Sequence, residues 1–319
     1  MTYIRKIKIG IATLAMTITG AIQGNDGYAT SQAGYQEPCD PVYCSCDCGR
    51  YFLDAEVLFL RASEGGLSSV CDSTTTTDTT VGGVTYSTLN GTGKDPRFDW
   101  NCGFRIGAGY GFPCSPSDIG VYWTHLNSCT GRGSSENEHR WKIDFNVVDV
   151  LYSYEYCLSP CFALTPFAGL RWANIDQRLN TKFISITDGV STLSTGIAKE
   201  DFWGIGPLFG IEGDWGIGCG FSFYGDIDVG ILYGRFHNRS NSTEAMTTVV
   251  NISNLNMHSQ AIQFVLDAGV GIQYRSCVCC IPLVFQLGLE HHQYFNQNQF
   301  CGHGDLYLDG VSLGVGLSY

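Results

Sequence analysis

Apolar and polar residues alternate with a period of two along the carboxyl-terminal part of the chain. From Ile262 to Tyr274 the even positions are apolar, whereas the odd positions are mostly polar or small. The segments Ile281–Leu289 and Val311–Tyr319 repeat the pattern, and the second ends on an aromatic residue. Because successive side chains of a β-strand point to opposite faces, each segment predicts a strand with one apolar and one polar face.

The same alternation predicts earlier strands and brings their number to ten. These earlier segments are Tyr51–Arg61, Phe98–Phe112, Ser117–Leu126, Trp141–Tyr156, Phe162–Asp176, Phe202–Trp215 and Cys219–Phe236. Within Trp141–Tyr156 the apolar positions change from odd to even, which predicts a β-bulge near Val148. Val81–Leu89 and Met246–Ile252 could add hairpins and raise the count to about twelve.

Short and long connections alternate between the predicted strands. The short ones are 113–116, 157–161, 216–218 and 276–280, and the long ones are 62–97, 127–140, 177–201, 237–259 and 292–305. Outer-membrane barrels alternate short periplasmic turns with long outer loops in this way. The sequence therefore predicts an all-β fold, a closed antiparallel transmembrane β-barrel of about 10–12 strands. A soluble sandwich is the alternative, but it would have to bury the continuous apolar face.

The amino terminus has the order of a signal peptide, with basic, apolar and then small residues. Arg5, Lys6 and Lys8 precede an apolar run from Ile9 to about Ile18, and Gly20 and Ala21 follow. This run is too short to cross the roughly 30 Å of hydrocarbon in a bilayer. We therefore predict export, with a signal peptide at residues 1–21, a cysteine-rich periplasmic segment at 22–50 and the barrel at 51–319.

Composition and charge narrow the function. The charged share of 15% is low for a soluble protein, and the net charge of −12 argues against binding to nucleic acid. The glycines of Gly107–Gly111 suit a barrel interior better than a phosphate loop, because no helix follows. No motif places a nucleophile beside a base, so we predict that the chain is not an enzyme and needs no cofactor.

Most charged residues of the predicted strands share the inward face. These pore-lining candidates are Asp54, Glu56, Asp99, Arg105, Arg171, Glu212, Asp214, Asp226, Asp228, Asp267 and Glu290. Charged rings tune ion selectivity, so the excess of carboxylates predicts a mildly cation-preferring channel for small hydrophilic solutes and ions. The alternative is that these groups pair across the interior and leave a plugged barrel, since ten strands enclose little space. His291 and His292 are interpreted as an exposed polar pair.

Fifteen cysteines in an exported chain indicate disulfides, and their odd number leaves at least one free or bonded between molecules. The predicted topology places eleven on the periplasmic side, namely Cys39, Cys44, Cys46, Cys48, Cys114, Cys157, Cys161, Cys219, Cys277, Cys279 and Cys280. Some are predicted to link the protein to itself or to other envelope proteins, and internal bridging is an equal alternative. A monomer in both reducing and non-reducing electrophoresis would exclude the links. Zinc binding by these thiols is less favoured in an oxidising compartment, and no metal is predicted.

Several segments resemble the Legionella-type major outer membrane protein family. They are Ala55–Leu67, Trp141–Asp149, Pro166–Gln177 and Phe202–Glu212. The family is described as pore-forming barrels and also occurs in chlamydia-related bacteria, so the resemblance implies a general diffusion channel in the outer membrane of a Gram-negative-type bacterium. It offers no catalytic residues, and it leaves a homo-oligomer open. The cysteine number looks more like the disulfide-linked envelopes of chlamydiae, which favours a second function, a cross-linked structural or adhesive protein without an open pore.

Overall fold

The computed structural model describes residues 50–65, 71–81, 84–93, 98–133, 137–187, 190–245, 250–278, 281–299 and 304–319. The predicted signal peptide and the cysteines of the amino-terminal segment lie outside these ranges. In the part of the chain that the structure describes, no helix is long and apolar enough to cross a membrane.

The regular elements of the described residues are all β-strands. They are β1 Arg50–Glu64, β2 Cys71–Val81, β3 Val84–Gly93, β4 Trp100–Gly111, β5 Ser117–Gly133, β6 Asn137–Tyr154, β7 Tyr156–Ser159, β8 Phe162–Thr187, β9 Val190–Gly218, β10 Phe221–Ala245, β11 Val250–Val278, β12 Ile281–Asn298 and β13 Gly304–Ser318.

Ten of these strands form one closed antiparallel barrel. The order around the barrel is β6, β5, β4, β1, β13, β12, β11, β10, β9 and β8, and the pairing of β8 with β6 closes the ring. The first and last strands pair from Phe52↔Ser318 to Glu64↔Leu306. Closure satisfies the backbone hydrogen bonds of every strand inside lipid, where no water is present. The predicted fold class is confirmed, and each of the ten predicted strands is present.

Both chain ends of the barrel share one rim with the short turns. Tyr51 and Tyr319 exchange two backbone hydrogen bonds of 2.8 Å at this rim. The turn from β9 to β10 is tight, with positive φ angles at Gly218, Cys219 and Gly220. Because outer-membrane barrels carry their short turns on the periplasmic side, we assign this rim to the periplasm and the other to the exterior.

The predicted long outer loops are largely strand. The β8–β9 ladder continues to Thr187↔Val190, and the β10–β11 ladder continues to Ala245↔Val250. Paired strands that leave the membrane can keep their hydrogen bonds, and the Thr residues of these segments favour strands. The hairpin predicted around Val81–Leu89 exists as β2 and β3, but it forms a separate two-stranded sheet. Of the second candidate, Met246–Ile252, residues 246–249 lie outside the described residues and residues 250–252 belong to β11. Within the described part of the chain the barrel therefore has ten strands.

The bulge predicted near Val148 is wrong. Strand β6 pairs with β5 and with β8 without a change of register. Its odd positions from Trp141 to Val147 are apolar but buried inside the barrel, whereas Val150 and Tyr152 are exposed on the outer face. The apolar residues change face because a narrow barrel interior must itself be filled by side chains.

The packing around Gly206 predicts a sharp difference between two glycines of β9. A Cβ atom at Gly206 would overlap the carbonyl oxygen of Ile231, whereas the nearest atom to a Cβ at Gly213 is 3.6 Å away, on Phe162. We expect Gly206→Ala to lower the free energy of unfolding by about 1–3 kcal/mol, as overpacking does, and Gly213→Ala to be near neutral. Urea unfolding of the folded barrel in detergent micelles measures both, and equal midpoints would contradict this packing.

Candidate functional site: the barrel lumen

The outer face of the barrel is an apolar band. Phe209, Phe264 and Leu289 are typical members, with 55%, 54% and 59% of their surface exposed. These side chains occupy the outward positions that the alternation predicts, and each strand contributes to the band. Such a surface is stable in contact with lipid tails and unfavourable in water. Any aqueous site of the barrel must therefore lie in its lumen or on its outer hairpins.

The periplasmic half of the lumen is a vestibule of about 1460 Å³ that is lined by both charged and apolar side chains. Its mouth is lined by Cys219, Cys277 and Tyr319, and its inner end reaches Arg171 and Tyr294. Carboxylates that line it include Asp54, Asp118, Glu212 and Asp226. The vestibule is therefore an acidic space that begins at the periplasmic rim.

Arg171 of β8 is the centre of the buried charge network. Its Nε and Nη2 atoms donate hydrogen bonds of 2.7 and 2.8 Å to the two carboxylate oxygens of Asp149, on β6. Its Nη1 atom donates to Asp267 on β11 and lies 3.6 Å from Oδ1 of Asp228 on β10. One guanidinium group thus contacts three carboxylates from three other strands. Its two parallel hydrogen bonds to Asp149 fix the orientation of both side chains in addition to pairing their charges.

The network continues across the lumen to Arg105 of β4. His292 lies 3.0 Å from Asp267 through Nδ1 and 3.0 Å from Glu290 through Nε2. Arg105 donates to both oxygens of Glu290, at 3.1 and 2.9 Å, and to Glu56 at 2.7 Å. The carboxylates of this network therefore pair with cations across the interior, as the plugged-barrel alternative requires.

A hydrophobic plug fills the lumen on the outer side of this network. It comprises Leu58, Leu60, Ala62, Phe98, Leu126, Trp141, Ile143, Phe145, Val147, Ala173, Ile175, Leu179, Phe202, Leu232, Phe236, Val265, Tyr294, Leu306 and Leu308. Along β1 the plug residues follow Glu56 toward the exterior, and along β6 they precede Asp149 from the exterior. Each is at most 5% exposed, so water has little access to this layer.

Aromatic contacts tie the plug together. Phe145 and Tyr294 meet edge to face with ring centroids 5.4 Å apart, and Phe202 and Phe236 lie 4.6 Å apart. The two members of each pair belong to different strands, and β6 and β12 are not neighbours in the barrel. The contact of Phe145 with Tyr294 therefore spans the lumen.

The vestibule brings together most of the predicted pore-lining residues. Asp54, Glu56, Arg105, Arg171, Glu212, Asp226, Asp228, Asp267 and Glu290 line it. Asp214 accepts hydrogen bonds from Gln273 and Arg275, in the same half of the barrel. Asp99 is not part of this group, because it is exposed and precedes the first residue of β4.

Sequence reasoning missed two members of the network. Asp149 was not predicted to line the lumen, and the unbroken β6 places it inward. His292 has the same parity as Glu290 and is buried, so its interpretation as an exposed residue is wrong. His291 is half-exposed, and its Nδ1 atom lies 2.5 Å from Oδ1 of Asp309. Strict alternation along β12, with Glu290 facing inward, would have predicted that His292 also faces inward.

The cysteines of the described residues lie at several places. Cys102, Cys114, Cys129, Cys219 and Cys277 are free thiols, whereas Cys157 and Cys161 are disulfide-bonded. The other periplasmic candidates, Cys39, Cys44, Cys46, Cys48, Cys279 and Cys280, lie outside the described residues. Links to other proteins stay a prediction.

A closed antiparallel barrel with an apolar outer band and a charged interior defines an integral outer-membrane β-barrel protein. The family model of the Legionella pneumophila major outer membrane protein precursor matches residues 43–315. The chain belongs to this family, which confirms the resemblance seen in the sequence, and its place is the outer membrane of a Gram-negative bacterium.

Solved barrels show distant similarity to the chain. The outer membrane protease OmpT of Escherichia coli is 12% identical, with 85% of this chain and 96% of that one covered and a TM-score of 0.45. The toluene transporter TbuX of Ralstonia pickettii is 9% identical, with coverage of 85% and 89% and a TM-score of 0.31. The attachment invasion locus protein Ail of Yersinia pestis is 12% identical, with coverage of 85% and 99% and a TM-score of 0.23. No curated protein matches the chain.

Proposed function

We propose that this protein is a closed structural barrel that displays long β-hairpins at the cell surface, and that its resting state is not an open pore. The observation that carries the proposal is the hydrophobic plug. Water leaves an apolar constriction readily, and hydrated ions cannot follow a path that water has left. Side chains such as Trp141, Phe202 and Tyr294, each 1% exposed, occupy the space that an aqueous path would need.

The barrel size supports the same conclusion. About eight strands leave an interior just wide enough for side chains to fill, and ten strands widen it only slightly. The charge network adds a second barrier, because Arg105 and Arg171 are each held between a carboxylate of a neighbouring strand and a carboxylate across the lumen. Opening the lumen would therefore require both packed and ion-paired groups to move.

A porin-type channel for small hydrophilic solutes and ions is the second candidate, and the vestibule favours it. Its volume of about 1460 Å³ and its acidic lining would suit hydrated cations. In this candidate the plug is a gate that moves during transport. The excess of carboxylates at the mouth then predicts a preference for cations.

Single-channel recording separates the two candidates. We expect folded wild-type protein in planar lipid bilayers to give no steady conductance steps, because the plug excludes water from the lumen. Folding is verified first by the faster migration of the unheated barrel in electrophoresis, and the same preparation after unfolding is the control. Steady open steps from folded protein would overturn the closed barrel in favour of the porin. The absence of enzymatic activity remains a prediction, and assembly into a homo-oligomer remains an open alternative.

A further inference from the structure

Four buried polar side chains lie close together in the lumen at the outer end of the plug. They are Glu64 of β1, Gln177 of β8, Glu200 of β9 and Gln297 of β12, and none is more than 7% exposed. Gln177 and Glu200 are cross-strand partners. Glu64 is within electrostatic range of Glu200 and lies beside Gln177, and Gln297 lies beside Glu200. We call this group the outer carboxylate cluster.

The polar atoms of the outer carboxylate cluster are only partly satisfied by hydrogen bonds from the described residues. Among the described residues, neither oxygen of Glu64, nor Oε1 of Glu200, nor either polar atom of the Gln297 amide has a hydrogen-bond partner. The other oxygen of Glu200 accepts a hydrogen bond of 2.9 Å from the backbone N–H of Gln299. Burying two carboxylates with so few hydrogen-bond partners is costly, so the cluster requires a cation or bound protons.

We propose that the outer carboxylate cluster binds a divalent cation of the calcium class, taken up from the medium outside the cell. All of the donor atoms are carboxylate or amide oxygens, and Ca²⁺ takes six to eight such ligands in flexible geometry. Two carboxylates supply the two negative charges that neutralise the ion. Zinc would prefer His or Cys ligands, and Mg²⁺ demands a strict octahedron.

The position of the cluster gives the ion a mechanical role. The side chain of Asn298 donates a hydrogen bond of 3.2 Å to the carbonyl oxygen of Gly65, so the outer ends of β12 and β1 already meet there. An ion held by Glu64, Gln177, Glu200 and Gln297 would join β1, β8, β9 and β12 at the outer end of the plug. The plug separates this site from the vestibule, so the site does not depend on whether the barrel conducts.

Trp141 provides a built-in reporter for the site. Its indole N–H donates a hydrogen bond of 3.1 Å to Oε1 of Gln177, and its side chain is buried. Tb³⁺ replaces Ca²⁺ at oxygen sites and emits when a nearby indole is excited. We expect Tb³⁺ to give sensitised emission with the folded, chelator-treated barrel, and we expect Ca²⁺ to displace it.

Two conservative variants test the ligands. Glu64→Gln and Glu200→Gln should each weaken Tb³⁺ binding by at least about tenfold, the loss that even changes in supporting residues of metal sites produce. Both should fold, because each removes a buried charge. Asp99→Asn, at an exposed carboxylate, and Glu212→Gln, in the vestibule, are the matched controls and should leave Tb³⁺ binding unchanged.

A second readout is the urea midpoint of unfolding with Ca²⁺ and with chelator. Ca²⁺ should raise the midpoint of the wild type and not that of Glu64→Gln or Glu200→Gln, because only a ligand of the folded state stabilises it. Trp141→Phe should lose the emission but keep the Ca²⁺ effect on the midpoint. The proposal is overturned if the wild type shows no displaceable emission, or if both glutamine variants bind as tightly as the wild type. The proposal is also overturned if Glu64→Gln and Glu200→Gln have a higher urea midpoint than the wild type by the same amount with Ca²⁺ and with chelator. That result would show that the carboxylates of the wild type hold protons and not a cation.

Discussion

Truncating Phe145 and Tyr294 to alanine is expected to turn a barrel without measurable conductance into one that conducts ions. The two rings meet across the lumen with centroids 5.4 Å apart, and Tyr294 also lines the vestibule. Removing both would extend the vestibule into the plug and let water enter the apolar layer. Planar bilayers should then show discrete conductance steps. Reversal potentials should show a preference for cations, because carboxylates outnumber arginines in the lumen.

The control is a second Phe and Tyr pair on the lipid-facing side. Phe223 and Tyr233 of β10 are 45% and 59% exposed, so their replacement by alanine should leave the lumen closed. Each truncation in the plug should cost about 3–5 kcal/mol of stability, so the folded fraction is measured first. A plug variant that is folded but silent would show that the plug is not the barrier, and a clear anion preference would contradict the acidic lumen.

Replacing Arg171 by methionine is expected to be among the most destabilising single changes in the barrel. It removes the guanidinium from Asp149, Asp228 and Asp267 but keeps most of the side-chain volume. Removing one partner of a buried ion pair costs about 3–5 kcal/mol, because the remaining charges stay buried. The urea midpoint of the folded barrel in detergent micelles measures the loss.

Arg178→Gln is the matched control for this change. It alters an arginine on the same strand that is exposed and contacts Asn180 at 3.3 Å. Its effect should stay within about 0.5 kcal/mol, as for other surface substitutions. Adding Asp267→Asn to Arg171→Met should recover part of the loss, since one buried charge is then removed. An Arg171→Met barrel with the wild-type midpoint would show that the network contributes little to stability.

Much of the barrel follows from local sequence. Alternation with a period of two identifies all ten barrel strands, because in each strand one face meets lipid and the other does not. The same parity assigns the inward charges, and Asp54, Arg105 and Glu290 lie where it places them. The sequence pattern underestimated the length of the strands. The hydrogen-bonded ladders continue outside the membrane, where a strand no longer needs an apolar face and the alternation therefore disappears.

The state of the lumen was decided by the tertiary structure alone. The apolar residues of β6 from Trp141 to Val147 are ambiguous in sequence, since lipid and a packed interior both require apolar side chains. Only the continuous register against β5 and β8 shows that they point inward. The partners of Arg171 come from β6, β10 and β11. The outer carboxylate cluster comes from four strands, of which only β8 and β9 are consecutive in the sequence. Period and parity determine which face a side chain takes, but barrel closure determines which side chains meet across the lumen.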